Sequence, residues 1–402
     1  MRSKDDKILD FVFEFTRTFR EKGHEVMVVA AHEAGIPLED EIEGVKVKRF
    51  VYFYPKKHQK LAYGAGIPEN IRRSTLAKIQ ALPFFLSGAN TVRKAINEFK
   101  PDVVNAIWAF PQGAMCSFLK KFKKFPLVVS LVGSEAYLAK KFHIPWVVSF
   151  AANNAEEVVT NSKASGNAAK ECGVKKEMEI IFWGIDDKRF TPEKNGKEII
   201  ERFKLQGKKV VLTIARLIQR KGVNYVVEAM PAVLKRHPDA VLVVGGDGPD
   251  RKALEAQAKQ LGIERNVIFT GWVSMDDLPK YYCAADVFVL AAATDEFGVP
   301  EGGQGLVTKQ AMASNCPVVT TNIGGIPDLT VNGDTGMLVE EKNPQQLAEA
   351  INRVLEDKAL RKKIVEGGFR AVKERAVWNA TAEKYLKVYE KAAKEFAEKN
   401  RR

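Results

Sequence analysis

The residues best suited to chemistry stand just after apolar runs in the second half of the chain. Arg216 and Lys221 bracket a short loop that follows the run 209–215, and Gly246-Asp247-Gly248-Pro249 closes the run 240–246. Further on, Glu301-Gly302-Gly303-Gln304-Gly305-Leu306 leads into a helical stretch around Gln310-Ala311-Met312-Ala313. An Arg can clamp two oxygens of an anion, and a Lys nearby adds a point charge. Glycines let backbone N–H groups come close to a ligand, and the helix after them directs its N-terminal dipole at negative charge. These residue types in this order suit a nucleotide or another phosphorylated compound.

The elements that must position them are strands and helices in alternation. Apolar runs at 209–215, 240–246, 266–271 and 287–290 are continuous rather than alternating, and helix-length stretches separate them. That pattern predicts buried parallel strands. The first half repeats the rhythm, with runs at 25–31, 45–50, 103–108, 127–133, 156–161 and 179–183. The expectation is an α/β chain with two doubly wound sheets facing one cleft, ligands lying beyond the carboxyl ends of the strands. Residues 1–186 form the first domain, 187–377 the second, and a helix over 378–402 crosses back to complete the first. One element is missing from the pattern. A doubly wound domain normally opens with a strand, whereas this chain begins with charged residues and enters a helix at 11–22, with Phe11, Phe15 and Phe19 on one face. Truncation, a misassigned start and a differently built first sheet all fit.

Bulk properties narrow the class. With 402 residues, 46% hydrophobic and 28% charged, the chain reads as globular with room for two cores. Its apolar runs fall short of the ~20 residues a membrane span needs, and Met1–Lys7 lacks an apolar leader core, so a cytoplasmic protein is expected. The four cysteines form no CxxC pair and read as reduced thiols; the five histidines have no metal-ligand spacing. No Asp-x-Asp occurs, so a site without metal or other cofactor is expected. The net charge of +13 fits an anionic substrate, an anionic membrane surface, nucleic acid, or a Lys/Glu-rich surface of the thermophile kind. No basic run is interleaved with aromatics, so nucleic acid is not expected as a partner.

These motifs resemble the donor domain of GT-B glycosyltransferases, in particular the retaining family 4. The features carrying the resemblance are Arg216-Leu217 with Lys221, Gly246-Asp247-Gly248-Pro249, Phe269-Thr270-Gly271 with Val273, and the stretch from Gly302 to Ala313. The first half is similar to the family's acceptor domain at Asn105–Gly113, at Val132-Gly133-Ser134-Glu135 and at Trp183–Asp186, and the Trp378 helix matches its crossover helix. Two departures stand out. The first Glu of the family's Glu-x7-Glu falls on Gly302, with Glu301 one residue early, and the second falls on Gln310. The frequent His before Gly-Ser-Asp is Val132.

The resemblance implies sugar transfer from a nucleotide-diphosphate sugar, used as co-substrate, to an unknown glycan, lipid-linked or small-molecule acceptor. Arg216 and Lys221 would meet the charge developing on the diphosphate. Glu301 would hold sugar hydroxyls, and Gln310, which still donates and accepts hydrogen bonds, would hold the ribose. Gly246, Gly248, Val273, Gly302, Gly303, Gln304, Gly305 and Leu306 would shape the donor pocket. Asn105, Trp108, Gly133, Ser134 and Glu135 would face the acceptor. Retention follows from attack on the face that the leaving group departs from, the leaving phosphate taking the acceptor's proton. The alternative is an impaired protein of this fold that keeps nucleotide-sugar binding alone. The basic, glycine-bearing segment from Lys56 to Arg73 is the candidate for peripheral contact with an anionic membrane.

Overall fold

The structure is a computed structural model and describes residues 10–63, 66–295, 298–300 and 303–401. In chain order the first half comprises α1 (Asp10–Glu21), β1 (Met27–Ala31), β2 (Glu39–Ile42), β3 (Val45–Phe50), α2 (Ile67–Arg73), α3 (Thr75–Ile79), α4 (Ala81–Phe99) and β4 (Val104–Ile107). It continues through α5 (Ala114–Leu119), β5 (Leu127–Leu131), α6 (Ser134–Lys141), α7 (Pro145–Asn153), β6 (Glu157–Thr160), α8 (Lys163–Glu171) and β7 (Met178–Ile180). The second half comprises α9 (Lys197–Arg202), β8 (Lys209–Ile214), α10 (Val223–Arg236), β9 (Ala240–Gly245), α11 (Arg251–Gln260), β10 (Val267–Gly271), α12 (Leu278–Ala284) and β11 (Val287–Leu290). It ends with α13 (Leu306–Ala313), β12 (Val318–Thr321), β13 (Met337–Val339), α14 (Pro344–Glu356), α15 (Lys358–Arg375) and α16 (Trp378–Arg401).

The second half carries one six-stranded sheet in the order β10-β9-β8-β11-β12-β13, every pair parallel. Its central strands β9 and β11 are apolar and buried throughout, because helices cover both faces. Strand order reverses between β8 and β11, which puts the switch point, and the crevice that goes with it, at their carboxyl ends. Such a pair of Rossmann-like halves is the α/β architecture that the apolar rhythm predicts.

The first half differs from one continuous sheet. β4-β5-β6-β7 form a parallel four-stranded sheet, while β1-β3-β2 form a separate three-stranded one in which β2 runs antiparallel on the edge. The run 179–183 was expected to be strand to its end. Pairing stops at Ile180, and Ile181, Phe182 and Trp183 instead turn their side chains into the cores on either side of the domain crossing. Glu39–Ile42 carries three acidic residues and no apolar alternation, so its strand had no sequence signal.

α16 returns to the first half and lies on β5 and β6 beside α1. Phe15, Phe19, Trp183, Trp378 and Tyr385 are buried together there, Phe15 and Tyr385 meeting edge to face at 4.9 Å. The two chain crossings touch: Ile185 pairs with Val377, with Ile185 N donating to Ala376 O at 2.9 Å. A Cβ on Gly184 would come within 2.5 Å of the Trp378 backbone, so only glycine fits at that crossing. Among the described residues no helix is long and apolar enough to cross a membrane.

Candidate active site

Three loops converge at the switch point. The loop after β8 carries exposed Arg216 and half-buried Lys221, five residues apart. The loop after β9 lies directly against it: Leu217 N donates to Asp247 O at 2.9 Å and Asp250 N to Leu217 O at 3.2 Å. This close approach dictates the glycines. A Cβ on Gly246, whose φ is +119°, would run into the Ala215 carbonyl oxygen, and one on Gly248 into that of Leu217. The loop after β11 closes the third side, with Ala293 N donating to Arg220 O at 3.0 Å. Glu341 fixes that loop by accepting from Thr294 N at 2.5 Å and Thr294 Oγ1 at 2.9 Å.

Glu301 and Gly302 lie outside the described residues. Gly303 lies against the loop after β12, since a Cβ on Gly325 would approach the Gly303 carbonyl carbon at 3.1 Å. Gly305, at φ +66°, turns the chain into α13, with Leu306 exposed at the first position. Gln304 is buried, and its Nε2 has no hydrogen-bond partner among the described residues. Gln310 is buried as well, and its Oε1 accepts from the Tyr282 hydroxyl at 3.1 Å. The Gln310 amide is thereby oriented by a fully buried tyrosine on α12. Val273 is buried against the sheet, its Cγ2 3.1 Å from where a Cβ on Gly245 would stand.

On the facing side, Trp108 follows β4 and Gly133–Glu135 follow β5. Glu135 is buried, and its carboxylate accepts from Val132 N and Gly133 N, both at 2.8 Å. Burial raises its pKa, and the backbone donors pull against that shift. Asn105 spends both ends of its amide inside the domain, accepting from Ser130 Oγ at 2.8 Å and donating to the Tyr389 hydroxyl at 2.9 Å. Asn161, after β6, donates to Val132 O, and its neighbour Lys163 N donates to Asp328 Oδ2 across the cleft at 2.7 Å. A continuous series of contacts thus runs from the Val132–Glu135 loop, through 161–163, to Asp328 and Gly325 beside Gly303. The carboxyl ends of the two sheets face each other.

One residue of this region had no sequence signal. Lys309, one position before Gln310, is buried, and its Nζ donates to Trp183 O at 2.6 Å, with Gln304 Oε1 at 3.4 Å. Desolvation holds its pKa down at about 7. A helical Lys normally reads as surface, so only the structure reveals that it links α13 to the domain crossing. Among the described residues no group of three His, Cys, Asp or Glu gathers as a metal site. In the Lys56–Arg73 segment, Arg72 and Arg73 both pair with Glu69, whose carboxyl is held down at about 2 by its hydrogen bond to Arg72 and then by Arg73.

Two parallel Rossmann-like sheets, a cleft between their carboxyl ends and a returning C-terminal helix define the GT-B architecture. Solved structures share it at the level of fold. Sucrose-phosphate synthase from Thermosynechococcus elongatus superposes with a TM-score of 0.77 at 20% identity, over 95% of this chain and 92% of that one. Anabaena HepE in complex with UDP and glucose gives 0.72 at 20% identity, over 96% of each. Residues 10–189 match the Glycosyltransferase Family 4 model and residues 195–371 the Glycosyl transferases group 1 model. The chain belongs to the group 1, family 4 glycosyltransferases. A GDP-mannose-dependent alpha-(1-6)-phosphatidylinositol monomannoside mannosyltransferase of Mycobacterium tuberculosis is 32% identical over 205 residues, 50% of this chain and 53% of its own. The chain spans about half the length of several curated relatives that it matches.

Proposed function

We propose that the chain transfers a sugar from a nucleotide-diphosphate sugar to an acceptor with retention of configuration, the diphosphate being held by Arg216 and Lys221. The observation carrying this reading is the switch-point crevice, where those two cations share one loop with the glycine turn at 246–248 packed against it. As the bond to the anomeric carbon breaks, negative charge builds on the leaving diphosphate, and fixed cations stabilise it without reorganisation. α13 begins beside the end of β11, where a Cβ on Gly305 would meet Leu290, and a helix N-terminus there favours negative charge. Gln310, oriented by Tyr282, is suited to a ribose hydroxyl through its amide N–H groups. Gln304, whose buried Nε2 has no hydrogen-bond partner among the described residues, is suited to the sugar.

The test is calorimetric binding and turnover with a panel of UDP-, GDP- and ADP-sugars, by the parent chain and by Arg216→Ala and Lys221→Ala. Each variant should lose about 10²–10³-fold in kcat, as removal of one transition-state donor does. Binding of every nucleotide sugar unaltered by both substitutions would overturn the assignment. Selective binding without turnover would favour the binding-only alternative, which the replacement of a carboxylate by Gln310 supports.

A lipid-linked acceptor is the finer reading for the first domain. Ile79, Leu82 and Leu86 form one exposed apolar stripe, because α3 and α4 join through Gln80 in near-helical conformation. Exposed Phe122 meets Phe118 edge to face at 5.3 Å, and Phe118 meets Phe85 of α4 likewise at 5.9 Å. Lys78 of α3 and Lys121 and Lys124, in the segment after α5 that carries Phe122, are exposed. An apolar stripe rimmed by lysines suits the surface of an anionic bilayer. The Lys56–Arg73 segment lies just before it in the chain.

A further inference from the structure

Packing alone gives Lys309 no reason to be a lysine. Its side chain is buried between α13 and the domain crossing, and among the described residues no carboxylate pairs with it. A buried ammonium without a counter-ion is costly, and a methionine of similar length would fill the volume without that cost. Nζ faces two neutral oxygens instead, Trp183 O at 2.6 Å and Gln304 Oε1 at 3.4 Å. The first of these is a fixed point. Thr381 of α16 donates to the neighbouring Phe182 O at 2.8 Å, and Ile185 N donates to Ala376 O at 2.9 Å. The Trp183 ring itself is held edge to face by Phe15 at 5.2 Å and Trp378 at 6.1 Å.

The second oxygen belongs to a group that could face either way. A glutamine amide can be turned over, exchanging an acceptor for donors with little change of shape. A lysine ammonium has donors only, so it selects the Oε1 end and leaves Nε2 on the other side. Loss of its proton would still leave two N–H groups, one for each oxygen. Gln304 stands where this orientation matters. Gly303 before it lies against Gly325, where a Cβ would also meet Ser162 of the facing half at 2.6 Å. Gly305 after it lies at the carboxyl end of β11, where a Cβ would meet Leu290 at 3.0 Å. Gln304 Nε2 is buried without a hydrogen-bond partner among the described residues, and so is Thr308 Oγ1 in the first turn of α13. This turn holds more hydrogen-bonding capacity than the described residues use.

We propose, on the reading of the crevice as a nucleotide-sugar site, that Lys309 is a positioning residue for the donor sugar. Anchored on the Trp183 carbonyl, it holds Gln304 by Oε1 and so presents the Nε2 N–H groups to an accepting oxygen of the sugar. Sugar recognition then depends on a residue that touches no sugar. It is tied to the crossing between the halves, whereas the diphosphate is held separately by Arg216 and Lys221.

The test compares calorimetric binding of UDP-, GDP- and ADP-linked glucose and mannose with that of free UDP, GDP and ADP. The chains are the parent, Lys309→Met, Gln304→Met and the double variant, and the quantity read is the ratio of sugar-nucleotide to diphosphate affinity. Each single variant should lower that ratio about 10-fold while diphosphate affinity stays within about twofold, and the double variant should fall no further, because both residues act through one contact. Gln304→Glu covers the case in which the methionine variants fold poorly. Its carboxylate pairs with Lys309 and should keep the thermal midpoint at or above the parent's, yet it offers no N–H, so the ratio should fall as far. A ratio unchanged in Lys309→Met and Gln304→Glu would overturn the proposal. So would an equal fall for sugar nucleotides and diphosphates in Lys309→Met, which would make Lys309 a structural residue of α13. A parent chain that binds none of these compounds would overturn the nucleotide-sugar reading, and the proposal with it.

Discussion

Lys309 is the residue whose environment differs most from its sequence context. Burial holds its pKa at about 7, against an ordinary 10.5. Between those values the unfolded chain binds more protons than the folded one, so stability rises with pH across that window, by at most about 1.4 kcal/mol per pH unit. Below pH 7 both states are protonated and the contribution is flat. Lys309→Met should remove this slope; urea midpoints at pH 7, 8 and 9 would then converge, and a slope unchanged by the substitution would refute the account. Gly246→Ala makes the opposite kind of prediction, local and steric. Its Cβ would collide with the Ala215 carbonyl, so nucleotide-sugar affinity should fall at least ~10-fold while the α-helical circular dichroism stays the same. Affinity equal to the parent's would mean that the two loops are not apposed.

At the scale of elements, the returning helix packs at the junction of the halves. Trp378→Ala removes a buried indole packed on Phe15 and Trp183, and should cost about 3–5 kcal/mol in urea unfolding. A loss below ~1 kcal/mol would mean that α16 is loosely docked. Much of this layer was legible in the sequence. The second sheet was readable because its strands are buried on both faces and their apolar runs are unbroken, and the glycine loops were readable because close backbone approach admits only glycine. β2 was not, since an exposed edge strand carries no apolar signal. The roles of Asn105 and Glu135 were not either. Asn105 turns to Tyr389, a neighbour distant in the chain, and Glu135 turns back to the amides of its own loop. The division of the first half into two sheets was not legible, because strand pairing depends on topology.

At the scale of the whole molecule, the two ends of the first domain do different work. The cleft end gathers the residues suited to donor and acceptor, and the α3–α4 stripe offers an apolar surface. Leu82→Glu with Leu86→Glu should reduce sedimentation with phosphatidylglycerol vesicles ~10-fold or more, leaving nucleotide-sugar affinity unaltered; equal sedimentation would remove the membrane reading. The paired crossings at Ile185 and Val377 carry a further consequence. Because the chain leaves and re-enters the first domain at adjacent points, everything between them is, in effect, a cassette inserted into a host whose own two ends, α1 and α16, lie side by side. Two cuts at one seam would release the cassette. On the proposed function, a relative's second half spliced there would be joined to this host's acceptor face, and the choice of nucleotide and the choice of acceptor would become separable by engineering.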